Sequence, residues 1–250
     1  MSNLTALADM IDTKNKQWIS ATKRRLADLS VFSETQLEWL SMEHYQFSAA
    51  NKGFLERAIE ATRDLCDPGV AIELTRNLHE EDGHAPMYKR GMLEVGTDFD
   101  QRIEFRPTTD FLATLERLSS HAGSRALGTL YATETAAIFE HEVFFDICRE
   151  ICHRRNAPWE GTTIKAFHDL HLSGGVEQSH KDGLSVFLAA RTPPTGSPLR
   201  PLDEDEICEG AIAAIDAMKH WWSLLIDEVE HPQPVWKTTE LSTRTWDAPA

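Results

Sequence analysis

Hydrophobic residues recur along this chain with the three-to-four-residue period of amphipathic helices, from near the N-terminus to about residue 230. Strand signals are nearly absent. No extended Val/Ile/Thr alternation occurs, and no Asn-Gly or Asp-Gly turn joins two apolar runs. The pattern therefore predicts an all-α protein.

The boundary residues divide this pattern into seven predicted helices. Stop signals stand at Asp67-Pro68-Gly69, at Gly96 and in the Pro-rich stretch 192–198. Candidate N-caps are Ser33 or Thr35, Thr108 or Thr109, and Asp203 or Asp205. The predicted helices cover roughly residues 3–28, 33–66, 72–94, 111–118, 123–153, 162–190 (interrupted by Gly174-Gly175) and 203–230.

The bulk properties narrow the class of protein. With 250 residues and 41% hydrophobic content, the chain can build one large core, so we expect a single domain over 1–230 and a polar tail over 231–250. A net charge of −15 disfavours nucleic acid and anionic membranes as partners. The four cysteines lack metal or disulfide spacing, and no secretory or membrane-spanning segment stands out. We expect a cytoplasmic protein with buried thiols, and whether it forms a homodimer is left open.

Two Glu-x-x-His steps are the first candidate chemistry. Glu81 and His84 lie in the third predicted helix, and Glu177 and His180 lie in the sixth. A spacing of three on a helix places both side chains on one face, where they can bind one metal ion. Two further matches, Glu150-x-x-His153 and Glu228-x-x-His231, stand at helix ends and rank lower.

The long fifth helix offers a third carboxylate. Glu134 lies among Ala132, Thr133 and Thr135, and a buried glutamate in such an apolar stretch needs a cation or a proton to neutralise it. Glu140 is the rival candidate, but the run from Glu140 to Glu142 can also be a solvated charge cluster. We favour Glu134.

The sixth helix adds His171 as a candidate ligand, with His168 as its alternative. On a regular helix His171 and His180 would face opposite ways, because nine steps of about 100° leave half a turn. Gly174-Gly175 can supply the interruption that brings His171 towards Glu177 and His180. Mixed carboxylate and imidazole ligands suit iron or manganese better than a structural zinc.

At these residues the chain resembles the haem-oxygenase-like diiron oxidases and oxygenases, which include an alkene-forming fatty-acid decarboxylase, a chlorolysine-fragmenting lyase and N-oxygenases. The stretch from Asn77 to Ala85 is similar to the first ligand helix of that family, and Tyr131-Ala132-Thr133-Glu134 resembles its second ligand segment. The third family motif, His-x-x-x-Asp-x-x-His, is two residues longer here and has Glu177 in place of Asp.

The resemblance implies a seven-helix haem-oxygenase-like bundle that binds two Fe²⁺ ions per chain, the second weakly, and activates dioxygen. The implied ligands are Glu81, His84, Glu134, His171, Glu177 and His180. No other catalytic side chain is implied. The expected reaction is oxidative C–C cleavage of an amino acid or fatty acid, and N-oxygenation is the alternative.

Other classes remain open from the sequence. A ferritin-like iron protein would need a further inward carboxylate, for which Glu43 is the candidate. A haem oxygenase would need an axial histidine, for which His44 is available. A metal-free thiaminase-like enzyme would give the predicted ligands no shared role, and a non-catalytic scaffold would bind no metal.

Overall fold

The chain folds into α-helices that enclose one core in the computed structural model, which describes residues 3–231 and side chains from Ala6 onward. The predicted tail lies outside the described residues except for His231. Within the described range, extended pairing is limited to two isolated bridges. The helices are α1 (Asn3–Arg25), α2 (Glu34–Thr62), α3 (Gly69–Glu80), α4 (His84–Glu94), α5 (Arg106–Ser119), α6 (Ser124–Arg154), α7 (Thr163–Leu172), α8 (Val176–Ser185) and α9 (Glu204–Glu230).

The prediction of an all-α bundle is confirmed. Two pairs of helical segments, α3 with α4 and α7 with α8, are each separated by only three residues. Taking each interrupted pair as one helix gives the seven helices of the sequence pattern. None of the helices in the described range is long and apolar enough to cross a membrane.

Local side-chain chemistry sets several helix ends. Ser33 and Gln36 form a reciprocal capping box at the start of α2, and Asp203 accepts hydrogen bonds from the first turn of α9. The predicted cap of α5 was wrong. That helix begins at Arg106, with Pro107 in its first turn, and Thr108 is buried inside it, where it accepts a hydrogen bond from Trp221 Nε1 at 2.9 Å.

Helix α6 is the centre of the bundle. It packs against α9, α2, α8, α7, α1 and α5, and its residues are mostly buried apart from an exposed stripe of Glu142, Asp146, Arg149 and His153 towards its end. A helix surrounded in this way lies inside the protein over most of its length. Polar side chains at the middle of α6 are therefore held in the interior, where they face α2, α7 and α8.

Candidate metal centre

A turn between α3 and α4 positions the first Glu-x-x-His pair. We predicted one continuous helix over 72–94, but α3 ends at Glu80, Gly83 adopts a left-handed φ of 95°, and His84 begins α4. The turn closes through a 3.2 Å hydrogen bond from His84 N to Glu81 O. The side chains still meet, with His84 Nδ1 3.2 Å from Glu81 Oε2.

The interruption between α7 and α8 has the predicted effect. Helix α7 ends with the amides of Ser173 and Gly174 both bonded to Asp169 O, and Gly175 is left-handed with a φ of 70°. This break reorients the chain so that His171 Nε2 lies 3.7 Å from Glu177 Oε1.

The structure brings all six predicted ligands together inside the helical bundle. They fall into two groups of three, and within each group the ligand atoms all lie within 4.8 Å of one another. The two groups share no residue. We call these the first triad and the second triad. The first triad is Glu81, His84 and His171, and the second triad is Glu134, Glu177 and His180.

A further imidazole, which the sequence reasoning did not select, joins the two triads. His141 Nε2 lies 3.2 Å from Glu177 Oε1, and its ring stacks on that of His171 at 3.9 Å. His141, His171 and Glu177 form a third group of donor atoms. The signal was available in the spacing, because His141 follows Glu134 by seven residues and so lies two turns along the same face.

Glu140 occupies a different place from Glu134. Six residues separate the two, which turns Glu140 about 120° away from Glu134 around the helix. Glu140 is buried and accepts a 2.8 Å hydrogen bond from Trp222 Nε1, and it belongs to none of the donor groups found in the described chain. The alternative prediction, a solvated charge cluster from Glu140 to Glu142, is therefore wrong for Glu140 and His141, which are buried. Only Glu142 is exposed.

The remaining candidates belong to none of the donor groups that the described residues form. His168 is buried and contacts the rings of Tyr88 and Phe145, while His171 supplies the nitrogen that reaches the first triad. The side chain of His153 is 81% exposed, and Glu150 bonds Arg154 at 2.7 Å. The last pair, Glu228 and His231, lies at the end of α9, where His231 is exposed.

Hydrogen bonds behind the ligands fix which imidazole nitrogen faces the cluster. His171 Nδ1 lies 2.7 Å from Phe167 O, so that Nδ1 donates and Nε2 is left to bind. His180 Nε2 lies 3.0 Å from Glu80 Oε2, which leaves Nδ1 towards Glu134. Glu80 is held in turn by Arg76 Nη1 at 2.6 Å. The sequence reasoning also missed this supporting role of Glu80.

The electrostatics of the cluster show that it concentrates negative charge. Burial and the neighbouring carboxylates of Glu134 and Glu81 raise the pKa of Glu177 well above its usual range. Burial alone would lower the pKa of His180, but its hydrogen bond to Glu134 and the charges of Glu134, Glu177 and Glu81 raise it to about 9. Burial lowers the pKa of His171 to about 3 and that of His141 to about 4.

The side chains present fit a pair of divalent metal ions. Glu134, Glu177 and Glu81 crowd together in a buried site, and Glu81 Oε1 and His141 Nδ1 find no hydrogen-bond partner in the described chain. Buried carboxylates without partners are costly unless a cation neutralises them. Carboxylates and imidazoles, among which those of His141 and His171 have a low pKa, together form a donor set typical of iron or manganese.

The residues required by two rival interpretations belong to none of the donor groups found among the described residues. Glu43, which a ferritin-like centre would need, binds Arg102 through two hydrogen bonds of 2.7 and 2.9 Å. His44, the candidate haem ligand, is buried and stacks on Phe144 at 3.9 Å. Burial and the nearby His141 and His171 lower the pKa of His44 well below its usual range.

Comparison with known proteins identifies the fold. No protein-family model and no curated protein matches the chain. Two crystal structures of a CADD-like protein of unknown function from Nostoc punctiforme do match. One is 25% identical with a TM-score of 0.76 over 91% of this chain and 98% of that one, and the other is 22% identical with a TM-score of 0.71 over 96% and 99%.

Two more distant structures agree. A domain of unknown function with a heme oxygenase-like fold from Shewanella denitrificans is 14% identical, with a TM-score of 0.66 over 95% of this chain and 96% of that one. A TenA homolog from Pseudomonas syringae is 14% identical, with a TM-score of 0.62 over 90% and 91%. The chain therefore has the haem-oxygenase-like fold that the resemblance implied, with a buried cluster of carboxylates and imidazoles at its centre.

Proposed function

We propose that this chain is an iron-dependent enzyme that uses two non-haem irons and dioxygen to oxidise a small aliphatic substrate. The observation that carries the proposal is the division of the six predicted ligands into two triads without a shared residue. One carboxylate with two imidazoles, the composition of the first triad, is the donor set of many non-haem ferrous oxygenases. The second triad is a second, more acidic site beside it.

When bound, the two ferrous ions would supply electrons and open coordination positions for dioxygen. Hydrogen-bond partners behind the ligands hold them in place. His171 and His180 are oriented by Phe167 O and Glu80, and His141 lies between the two triads. Three carboxylates offset most of the charge of two divalent ions, which lowers the cost of burying them.

For the reaction, we infer oxidative cleavage of a carbon–carbon bond in an amino acid or fatty acid, on the strength of the sequence resemblance. N-oxygenation of an amine by the same centre is the alternative reaction. A metal-free enzyme is the alternative class, favoured by the likeness to a TenA homolog. That class gives the two triads no common purpose.

Iron uptake under anaerobic conditions tests the proposal. The metal-free protein is loaded with Fe²⁺, desalted and assayed for bound iron, and about two ions per chain are expected. His84→Ala should weaken the first site and Glu134→Ala the second, while Glu60→Ala, an exposed change on α2, serves as the control. A correctly folded protein that takes up no iron would overturn the proposal.

Oxygen consumption then tests the reaction. Amino acids, fatty acids and amines are added singly to the iron-loaded protein before air, and the products are analysed by mass spectrometry. A substrate-dependent burst of oxygen uptake with loss of a carbon fragment supports C–C cleavage. Gain of oxygen on nitrogen identifies N-oxygenation instead, and hydrolysis products from the iron-free protein identify a metal-free enzyme.

A further inference from the structure

A small cavity of about 40 Å³ opens beside the metal-binding cluster, between α2 and α6. Its inner wall is formed by ligands of both triads and by Glu140, and its outer part by half-buried residues such as Ser48, Asn51 and Ala137. A space of this size admits about three water-sized groups. It therefore suits the polar end of a ligand, with the rest of the ligand directed towards the outer part.

Glu140 is the acidic group in this cavity that the metal centre does not use, and burial raises its pKa to about 8, so that its ionised form depends on a cationic partner. Its side chain is 2% exposed. One oxygen, Oε1, accepts the hydrogen bond from Trp222 Nε1 at 2.8 Å. The other, Oε2, lies 3.9 Å from His44 Nε2, beyond hydrogen-bond distance, and no lysine or arginine of the described chain pairs with it. A buried carboxylate in this position calls for a positively charged or hydrogen-bond-donating partner.

No lysine or arginine is among the described residues that line the cavity, so an anionic group of a ligand would meet a cation there only where the triads hold metal ions. Three cations near the ligand segments in sequence are bound elsewhere: Arg76 to Glu73 and Glu80, Arg125 to Glu209, and Lys181 to Asp12 at 2.5 Å. The carboxyl oxygen Oε2 of Glu140 complements a ligand cation instead.

We propose that this cavity binds the ammonium group of an amine substrate, with Glu140 Oε2 as its acceptor. Trp222 holds the carboxylate in place, so that an N–H donor entering from the side of Ser48 and Asn51 would meet Oε2 close to both triads. The amine is a substrate only if the triads hold reactive metals, and in that respect this assignment rests on the proposed function. Binding of the amine itself does not require metal chemistry.

Binding of three four-carbon probes tests the amine site directly. The protein is loaded with Zn²⁺, which undergoes no redox chemistry, and n-butylamine, 1-butanol and butyrate are titrated by calorimetry or ligand-detected NMR. The wild-type protein should bind butylamine at least tenfold more tightly than 1-butanol, and, in the metal-free protein, where no zinc can bind the carboxylate, more tightly than butyrate. Glu140→Gln keeps an oxygen for Trp222 and should abolish the preference. Glu142→Gln, two residues along α6 in an exposed pair with Lys23, is the matched control and should retain it.

Three outcomes would overturn the assignment. They are a preference for butyrate over butylamine in the metal-free protein, unchanged amine binding in Glu140→Gln, and reduced zinc uptake in Glu140→Gln with amine binding retained, which would make Glu140 a counter-charge for the metals. Repeating the titrations on metal-free protein separates the two proposals. If the protein takes up no iron but binds amine in a way that depends on Glu140, only the diiron function is contradicted. If it binds two irons but its amine binding does not depend on Glu140, only the amine site is contradicted.

Discussion

At the scale of single residues, the candidate metal centre depends on groups behind the ligands. Glu80 is on the outer side of His180, with 39% of its side chain exposed, and it bridges His180 to Arg76. Such carboxylate partners orient a ligand imidazole and raise its basicity, and their loss commonly weakens metal affinity by about 10- to 100-fold.

We therefore expect Glu80→Ala to lower the affinity of the second triad for divalent metal by about tenfold or more. Zinc or manganese affinity, measured by competition with a chelator dye, checks this. Glu60→Ala likewise removes one carboxylate, but a distant one, which pairs with Arg63 on the surface. If Glu80→Ala and Glu60→Ala lowered metal affinity equally, the net charge of the protein rather than the contact with His180 would account for the effect.

The cysteines differ in reactivity because they differ in burial. Cys148 and Cys152 are fully buried, as expected, but Cys66 and Cys208 are only half-buried. Burial raises the pKa of Cys148 to about 12 and that of Cys152 to about 11. Since the thiolate is the reactive form, both thiols should be inert in the native protein.

Iodoacetamide at pH 8 should therefore add to Cys66 and Cys208 in the native protein, and to all four cysteines after denaturation. Intact mass spectrometry followed by peptide mapping measures this. Rapid labelling of Cys148 under native conditions would show that the core around α6 opens readily.

At the scale of helices, close approach of α6 and α9 rests on two glycines. A Cβ atom on Gly128 would lie 1.9 Å from Ile207 O, and one on Gly210 would lie 2.0 Å from Arg125 O. Both obstacles are backbone atoms, which cannot yield without displacing a helix. Gly53 on α2 is different, because its Cβ would meet only the flexible end of Arg57 at 3.3 Å.

Gly128→Ala and Gly210→Ala should each destabilise the protein by about 1–3 kcal/mol through overpacking. Gly53→Ala should be neutral or stabilising by up to about 1 kcal/mol, because alanine is the better helix former. The free energies of unfolding of the three variants are compared through their urea denaturation midpoints, provided that the m-value is unchanged. Similar midpoints for all three variants would show that α6 and α9 can move apart at little cost.

At the scale of the whole molecule, metal binding and folding should be linked. The six ligands span residues 81 to 180 and come from four separate segments, so the unfolded chain lacks the site. A ligand that binds only the folded state stabilises it by about 2.7 kcal/mol per site at one hundred times its dissociation constant.

The melting temperature should therefore rise steadily with the concentration of added Mn²⁺ or anaerobic Fe²⁺. The double variant His84→Ala/Glu134→Ala, which removes one ligand from each triad, should lose most of this dependence. Differential scanning fluorimetry measures both. A melting temperature that is independent of metal in the wild-type protein would contradict a buried metal centre.

Local sequence information predicted the helices and most of their ends, because caps, glycines and prolines act over a few residues. Ser33, Asp203 and the Gly174-Gly175 break lie where the pattern placed them. The break before His84 was missed, since Gly83 lies within a pattern that remains helical on both sides. The left-handed backbone of Gly83 belongs to the turn, and the spacing of hydrophobic residues carries no signal of it.

By itself, the sequence determined the all-α class, the order of the helices and the two Glu-x-x-His pairs that converge, because periodicity and ligand spacing are local properties of the sequence. The preference for Glu134 over Glu140 came from its small neighbours and from the family resemblance. Only the tertiary structure decided which arc of α6 faces the metal-binding cluster. Helix α6 is buried on nearly every face, so its own pattern could not distinguish Glu134 and His141 on one arc from Glu140 on another. The packing of α2, α7, α8 and α9 around it made that distinction. The same packing leaves Glu140 lining the cavity, where its side chain accepts a hydrogen bond from Trp222.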